Sequence, residues 1–580
     1  MARYGGRVSP RRWGAVYLQR RILCSGGTDG LEGFGGRVCR LVQRQGEGRR
    51  SRRRRPMGGG VAAAVWLFGL VGFSPLLWPV APVMAATFTV TSTADNLTNG
   101  DGFCTLREAI SAANNAATND CGSASAGNDT IVLQSGATYT LSLDGTAGNE
   151  DTGAEDDLDI AGASTAGTLT IQGNGATIER STAVLCDPNG SVVAGEFRIV
   201  HVLSGGNLTL QNVTVENGCA DGAGFPANSG GGIFVPSGGT LTVTTGTISN
   251  NSAGRFGGGI FNNNVGTVTL TNSTIKSNSA GIGVDVSGHG GTVTIMSSTI
   301  TNNSAGDDGG GIVNVGTATI ATSTISNNSV GDAGGGIGNG GTVTLTNSTI
   351  SDNSADFGGG IFNNNVGAVT LTNSTISGNS SGGGSGENGG GIWNGGTVNA
   401  SFVTIAANDG GGSGLGGGIF NDAGGTVDIK NSIVGDNTAG GGGPNCQNSG
   451  TITPSGNNLA TDSSCGAGFS VVPSAVLNLG ALANNGGATQ THALPSGSAA
   501  IDVVSDCTDL TNSSVTTDQR GVARPQGAQC DVGAYEAFEA GAAPVPMVSP
   551  WAQLGLLTLL GLQGIRALRR RGRELDAARD

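Results

Sequence analysis

The segment Gly257-Gly258-Gly259-Ile260-Phe261-Asn262-Asn263-Asn264-Val265-Gly266-Thr267-Val268-Thr269-Leu270-Thr271-Asn272-Ser273-Thr274-Ile275-Lys276-Ser277-Asn278 decides the fold. The phrase returns with few changes at Gly358–Asn379, and looser copies fill the span from about Gly230 to Asn437. Its closing isoleucines stand at Ile248, Ile275, Ile300, Ile325, Ile350 and Ile376, spaced by 27, 25, 25, 25 and 26 residues. The array continues less regularly through Ile405 and Ile433. A fixed period of this size marks a solenoid, in which one supersecondary unit stacks on copies of itself.

Within each unit, apolar residues alternate with threonine, as in Thr267–Thr271, so one strand face is buried and the other is wet. The second strand, Asn272–Ile275, points one isoleucine inward, and the residue after the glycines (Ile233, Ile260, Ile312, Ile337, Ile361, Ile392, Ile419) points another. Three inward positions per turn predict an all-β, right-handed parallel β-helix. Glycine supplies the corner conformations forbidden to other residues. Asn278, Asn303, Asn328, Asn353 and Asn379 are expected to take left-handed φ at other corners and to stack into a side-chain ladder. Glycine makes up 107 of 580 residues. Low-complexity disorder is the competing reading, but disordered tracts have no reason to keep Ile and Val in register over eight units.

Charge is distributed unevenly. Residues 1–56 hold fifteen Arg against three acidic residues, whereas residues 86–544 hold thirty-six Asp and Glu against eight Lys and Arg. An acidic body argues against a nucleic-acid partner, whose phosphates require Lys and Arg. After Arg52–Arg55 comes the apolar run Val61–Val80, then small residues through Val83-Met84-Ala85. This reads as a secretory signal with cleavage between Ala85 and Ala86. Residues 1–85 are therefore an Arg-rich extension plus a signal peptide. A membrane anchor is the alternative, weakened by Pro75, Pro79 and Pro82.

Residues 86–127 form a cap. Leu106, Ile110 and Ala113 share one helical face in Cys104-Thr105-Leu106-Arg107-Glu108-Ala109-Ile110, and a helix there would cover the open end of the first coil. This phrase resembles the CSLREA N-terminal module of bacterial surface β-helix proteins, with Thr105 in place of Ser. The resemblance implies export and a β-helix, not an activity. The β-helix itself spans 128–444, with regular repeats from 230. In its entry coils Glu150, Asp151, Glu155, Asp156 and Asp157 form an acidic cluster. We expect a solvated loop there, with calcium as a weaker candidate and no other cofactor or metal.

Beyond the signal, eight cysteines fall as near neighbours: Cys104 and Cys121, Cys186 and Cys219, Cys446 and Cys465, Cys507 and Cys530. An even count in an exported chain predicts disulfides, and neighbour pairing is the preferred connectivity among 105.

From Gly456-Asn457-Asn458-Leu459, through the Leu477–Leu494 run and Thr517–Gly521, to Asp531-Val532-Gly533-Ala534-Tyr535-Glu536, the order of phrases resembles the choice-of-anchor Q domain, covering 445–540. Asp502, Asp518, Arg520 and Asp531 are expected to form a salt-bridged structural cap. Residues 541–580 form a tail: Pro546, Ser549 and Trp551, then the apolar Leu554–Ile565, then Arg566, Arg569, Arg570, Arg571 and Arg573. It resembles the IPTL-CTERM sorting signal of Gram-negative bacteria and would hold the chain at the cell envelope.

No catalytic residue is assigned. Gly288-His289-Gly290 and Asp307-Asp308 resemble motifs of polygalacturonase-type glycosidases, but in reversed order. The array offers only Arg255, Lys276 and Lys430 as bases for a lyase. No Ser/His/Asp arrangement emerges from His201, His289 or His492. Gly-Gly-Gly-Ile followed by Phe261-Asn262-Asn263-Asn264 or Phe362-Asn363-Asn364-Asn365 is similar to the repeats of chlamydial polymorphic outer-membrane adhesins. The expectation is an exported, surface-held adhesin or interaction protein, at the outer membrane or outside the cell. Its ligand would be a polysaccharide or a host or neighbour-cell surface. The competing class is a polysaccharide lyase or glycoside hydrolase on the same fold.

Overall fold

The computed structural model describes residues 85–538, apart from 115–117, 124–126, 144–154, 162–166, 187–194, 223–224, 283–285, 289–290 and 383–385. Alternation in the Thr-Val-Thr-Leu-Thr phrase becomes geometry at once. In the strand Thr267–Thr271 every threonine is half-exposed, while Val268 and Leu270 are fully buried. The strand pairs in parallel and in register with Thr240–Thr244 on one side and Thr292–Met296 on the other. Ile248, Ile275, Ile300, Ile325, Ile350, Ile376 and Ile405 are all fully buried, as are most isoleucines that follow the glycines. The chain is an all-β, right-handed parallel β-helix whose coils share one continuous apolar core.

Three parallel sheets build it. One contains both the Thr-rich strands and the Thr-Ile-Ser strands. A second is built of Ile-x-Asn strands such as Ile260–Asn262 and Ile361–Asn363, and a third of short Ser-Ala strands. The first glycine of each Gly-Gly-Gly-Ile takes left-handed φ, +60° at Gly257 and +62° at Gly358. A Cβ on the next glycine, Gly258, would overlap Ser279 O of the following coil.

The expected asparagine ladder is present and buried. Asn303 donates to Asn328, Asn328 to Asn353, and Asn353 to Asn379, each at 2.9 Å. Their conformation differs from the expectation. The left-handed residue is the one before each ladder position: Ser277, Asn302, Asn327, Asp352 and Gly378. The reason is geometric. The left-handed residue makes the corner and points outward, so its successor points into the barrel, where an amide can meet its neighbour. A second ladder runs along the Ile-x-Asn strands. Asn314 donates to Asn339 at 2.9 Å, Asn339 to Asn363 at 2.8 Å, and Asn363 to Asn394 at 2.8 Å.

The end facing the N terminus is closed by the helix Leu106–Ala113. Thr105 and Glu108 form a reciprocal capping box at its start. Leu106, Ile110 and Ala113 lie on its core face as expected, and all three are buried. Disulfide Cys104–Cys121 pins it. Cys186–Cys219, Cys446–Cys465 and Cys507–Cys530 complete the neighbour pairing. After the last coils, residues 474–538 run back along one flank of the β-helix. A second small core of Phe402, Ile433, Leu459, Leu477, Leu494 and Val532 seals this contact. Hydrogen bonds reinforce it: Thr375 Oγ1 donates to Gln519 Oε1 at 2.7 Å, and Asn373 Nδ2 to Thr517 O at 2.7 Å.

In that flank, Asp518 and Arg520 pair at 2.7 Å, as the sequence suggested. Among the described residues Asp502 and Asp531 do not join a salt bridge. Asp531 accepts from the backbone N–H of Asp502 and Ala537, and Asp502 accepts from Gln529 N–H. The second buried ion pair is Arg524–Glu536 at 2.8 Å.

Candidate functional site

In an Ile-x-Asn strand the middle residue points outward, and parallel stacking lines these residues up from coil to coil. Near the N-terminal end this outward column reads Asp159, His201, Phe234, Phe261. The rings of Phe234 and Phe261 stack at 5.6 Å, and Phe225 packs edge-on against both, at 6.3 and 6.0 Å. Phe234 and Phe261 are buried under this cover, while Phe225 is half-exposed. Beside this aromatic cover lies an open cleft of about 490 Å³, lined by His201, Leu203, Ser204, Phe225, Pro226, Ala227, Phe234, Pro236 and Asn263. It combines apolar walls with a few polar groups, the usual make-up of a ligand pocket.

Behind one end of the cleft sits a buried charged cluster. His201 Nδ1 is 3.0 Å from Asp159 Oδ1, and Arg198 Nε is 3.4 Å from Asp157 Oδ2. Arg198 also lies over the Phe234 ring, 5.0 Å from its centroid, and donates to Pro226 O at 3.2 Å. Burial, then the charge of Asp159, pushes the Asp157 carboxyl up to about 7 against the pull of Arg198. This corrects the expectation of a solvated acidic loop at Asp156 and Asp157. Glu155 is exposed, but Asp156 and Asp157 are buried, and Glu150 and Asp151 lie outside the described residues. The physical cause is the capping helix: Arg107 reaches across to donate to Asp156 O at 2.6 Å and to Asp157 O at 3.3 Å.

A second carboxylate group lies at the corner before the glycines. Asp307 and Asp308 precede Gly309 as expected, and the next coils add Asp332 and Asp356 in the same row, with Glu387 close by in charge. Burial, then Asp332 and Asp307, raises the Asp308 carboxyl to about 7. The row was legible as acids 25 and 24 residues apart.

The amino-acid sequence from 110 to 350 matches a family model described as a right handed beta helix region. Among solved structures, the crystal structure of pectate lyase Pel9A is similar over 78% of this chain and 97% of that chain, at 17% identity and a TM-score of 0.39. No curated protein matches the sequence.

Elsewhere on the β-helix, the candidate lyase bases are placed as follows. Lys430 is buried and bonded to Asp506, Thr508 and Asp509 of the flank, Arg255 lies over the Phe256 ring, and Lys276 is exposed. Ala86 begins the first coil, with its N–H bonded to Asp129 at 2.7 Å. His289, Pro546, Ser549, Trp551 and the apolar runs 61–80 and 554–565 lie outside the described residues. Among the described residues no helix is long and apolar enough to cross a membrane. The stacked aromatics were the missed signal: Phe234, Phe261, Phe362, Trp393 and Phe420 all sit between an inward aliphatic and a third strand residue, usually asparagine.

Proposed function

We propose that this chain is an exported, cell-surface β-helix protein that works by binding, and that its cleft takes a neutral glycan segment. The single observation that carries the reading is the cleft itself. Phe225, Pro226 and Pro236 offer apolar surface to a sugar ring, and Ser204 and Asn263 offer hydrogen-bonding groups beside it. Four disulfides suit an oxidising compartment, and the signal-like run ending at Ala85 supports export. The acidic body favours neutral over anionic polymers. A glycan array followed by calorimetry tests it. A neutral oligosaccharide should bind, and Phe225→Ala should weaken it about tenfold or more, the loss of one ring contact. An array without a hit, or binding indifferent to Phe225, removes the reading. Location is tested separately, by cell fractionation with mass spectrometry of both termini.

A second reading is glycoside hydrolysis at the acidic row. It is favoured by the row itself, in which Asp308 stands beside Asp307 and Asp332, and burial with their charge raises its carboxyl to about 7. Release of reducing ends from a polysaccharide, abolished by Asp308→Asn, would support it. Equal rates from both proteins would eliminate it.

A further inference from the structure

The cluster behind the cleft contains a donor set of mixed chemistry. Asp159 and His201 occupy partner positions on adjacent coils, and Asp157 precedes the same strand as Asp159. One oxygen or nitrogen from each of the three lies within 4.8 Å of the others. All three residues are buried, at 0%, 0% and 6% exposure. Arg198 engages Asp157 through Oδ2, and Oδ1 has no hydrogen-bond partner among the described residues.

We propose that Asp157, Asp159 and His201 bind one divalent transition-metal ion of the zinc class. Several features converge on that ion. An imidazole nitrogen with two carboxylate oxygens suits zinc, cobalt or manganese, whereas calcium and magnesium prefer oxygen alone. Two buried carboxylates so close together repel each other, and a dication between them offsets that repulsion. The set is held in place from outside: Arg107 fixes the backbone at Asp157, and the His201 ring lies 5.2 Å from Phe234. His201 also lines the cleft, so a fourth ligand position opens towards it and takes water or a ligand oxygen. The ion would tie the Leu158–Ile160 coil to the Val200–Val202 coil, which are separated in sequence by the strand Leu169–Arg180.

The ordinary alternative is an imidazolium–carboxylate pair between His201 and Asp159. Titration separates the two. The tag-free full-length chain, stripped with a chelator, is titrated with Zn²⁺ by calorimetry. One saturable equivalent is expected. His201→Phe, which continues the Phe234 and Phe261 column, and Asp159→Asn should each weaken binding by about 100-fold or more, beyond the loss of an outer-shell contact. Their circular dichroism should stay native. Because either variant can fail to fold, the native chain is also examined by X-ray absorption of its Zn²⁺ form, where one imidazole and an oxygen shell are expected. No saturable uptake, uptake unchanged in both variants, or a sulfur or multi-imidazole shell overturns the assignment.

Discussion

Ser377 Oγ lies 2.8 Å from His492 Nε2, joining a coil of the β-helix to a flank segment 115 residues further along the chain. The other ring nitrogen meets Gly480 O at 2.7 Å, so Nδ1 carries the proton and Nε2 accepts from the serine hydroxyl. Both side chains are buried, which makes the pair a fastener and not a nucleophile.

That fastener has a pH signature. Burial holds the His492 imidazole below its usual pKa. The ring is neutral in the fold, whereas in the unfolded chain it takes a proton below about pH 6.5. Its contribution is therefore complete above about pH 6.5 and is lost as pH falls towards the lower folded value. The thermal midpoint should drop between pH 7 and pH 5, and His492→Phe should flatten that profile. Comparison with the variant isolates the histidine from Asp308, whose raised pKa acts in the opposite sense, costing stability as pH rises.

The inward amide ladder makes a sharper claim about stability. Asn328 donates to Asn353 Oδ1 and Ile300 O, and accepts from Asn303 N–H and Nδ2. Asn328→Leu leaves those buried partners unsatisfied and should cost about 3 kcal/mol by chemical denaturation. Asn327→Ala, one position earlier and exposed at φ +56°, should cost only about 1 kcal/mol for the left-handed corner. Equal costs at the two positions would show that the ladder contributes nothing.

The Arg524–Glu536 pair is fully enclosed, and Glu536 also accepts from the N–H groups of Gln526 and Asp531. Arg524→Ala strands the carboxylate and should destabilise the flank by about 3–5 kcal/mol. Hydrogen exchange should report the loss in 474–538, with the array around 300–325 still protected.

Cys446–Cys465 closes a loop with a sequence separation of 19 at the far end of the core. Replacing both with Ser should lower stability by about 3 kcal/mol, the loop-closure cost for that length. Non-reducing peptide mapping should recover all four neighbour bonds in the native chain.

The repeat was readable because each coil imposes the same demand on the same residue type. Ile275 and Ile300 bury identically, so their spacing carries the fold by itself. Ladder residues were half readable. Asn278 is paired as its repetition suggested, but periodicity cannot tell a corner residue from its neighbour, and Ser277 holds the left-handed angle. The cluster at Asp157 was opaque, because its burial depends on Arg107, 50 residues earlier, and on Arg198, 41 residues later. No local pattern encodes such a meeting. The Arg524–Glu536 pair is only 12 residues apart, but its enclosure depends on the distant Phe402 ring that Arg524 lies over.

Strict register has a consequence for how this protein can change length. Each coil offers its successor the same edge, so a unit of 25 residues can be excised without disturbing the pairing on either side. Removing Thr301–Ile325 would rejoin Ile300 to Ser326, which already follows an identical residue in the next coil. The flank restricts this freedom, since Thr349, Asn373, Ser377 and Lys430 are bonded to positions in 490–519 whose mutual spacing is set by another fold. Coil number can therefore drift in the stretch before Asn347, which Thr489 already bonds, while the coils beyond it are locked in copy number by the segment that grips them.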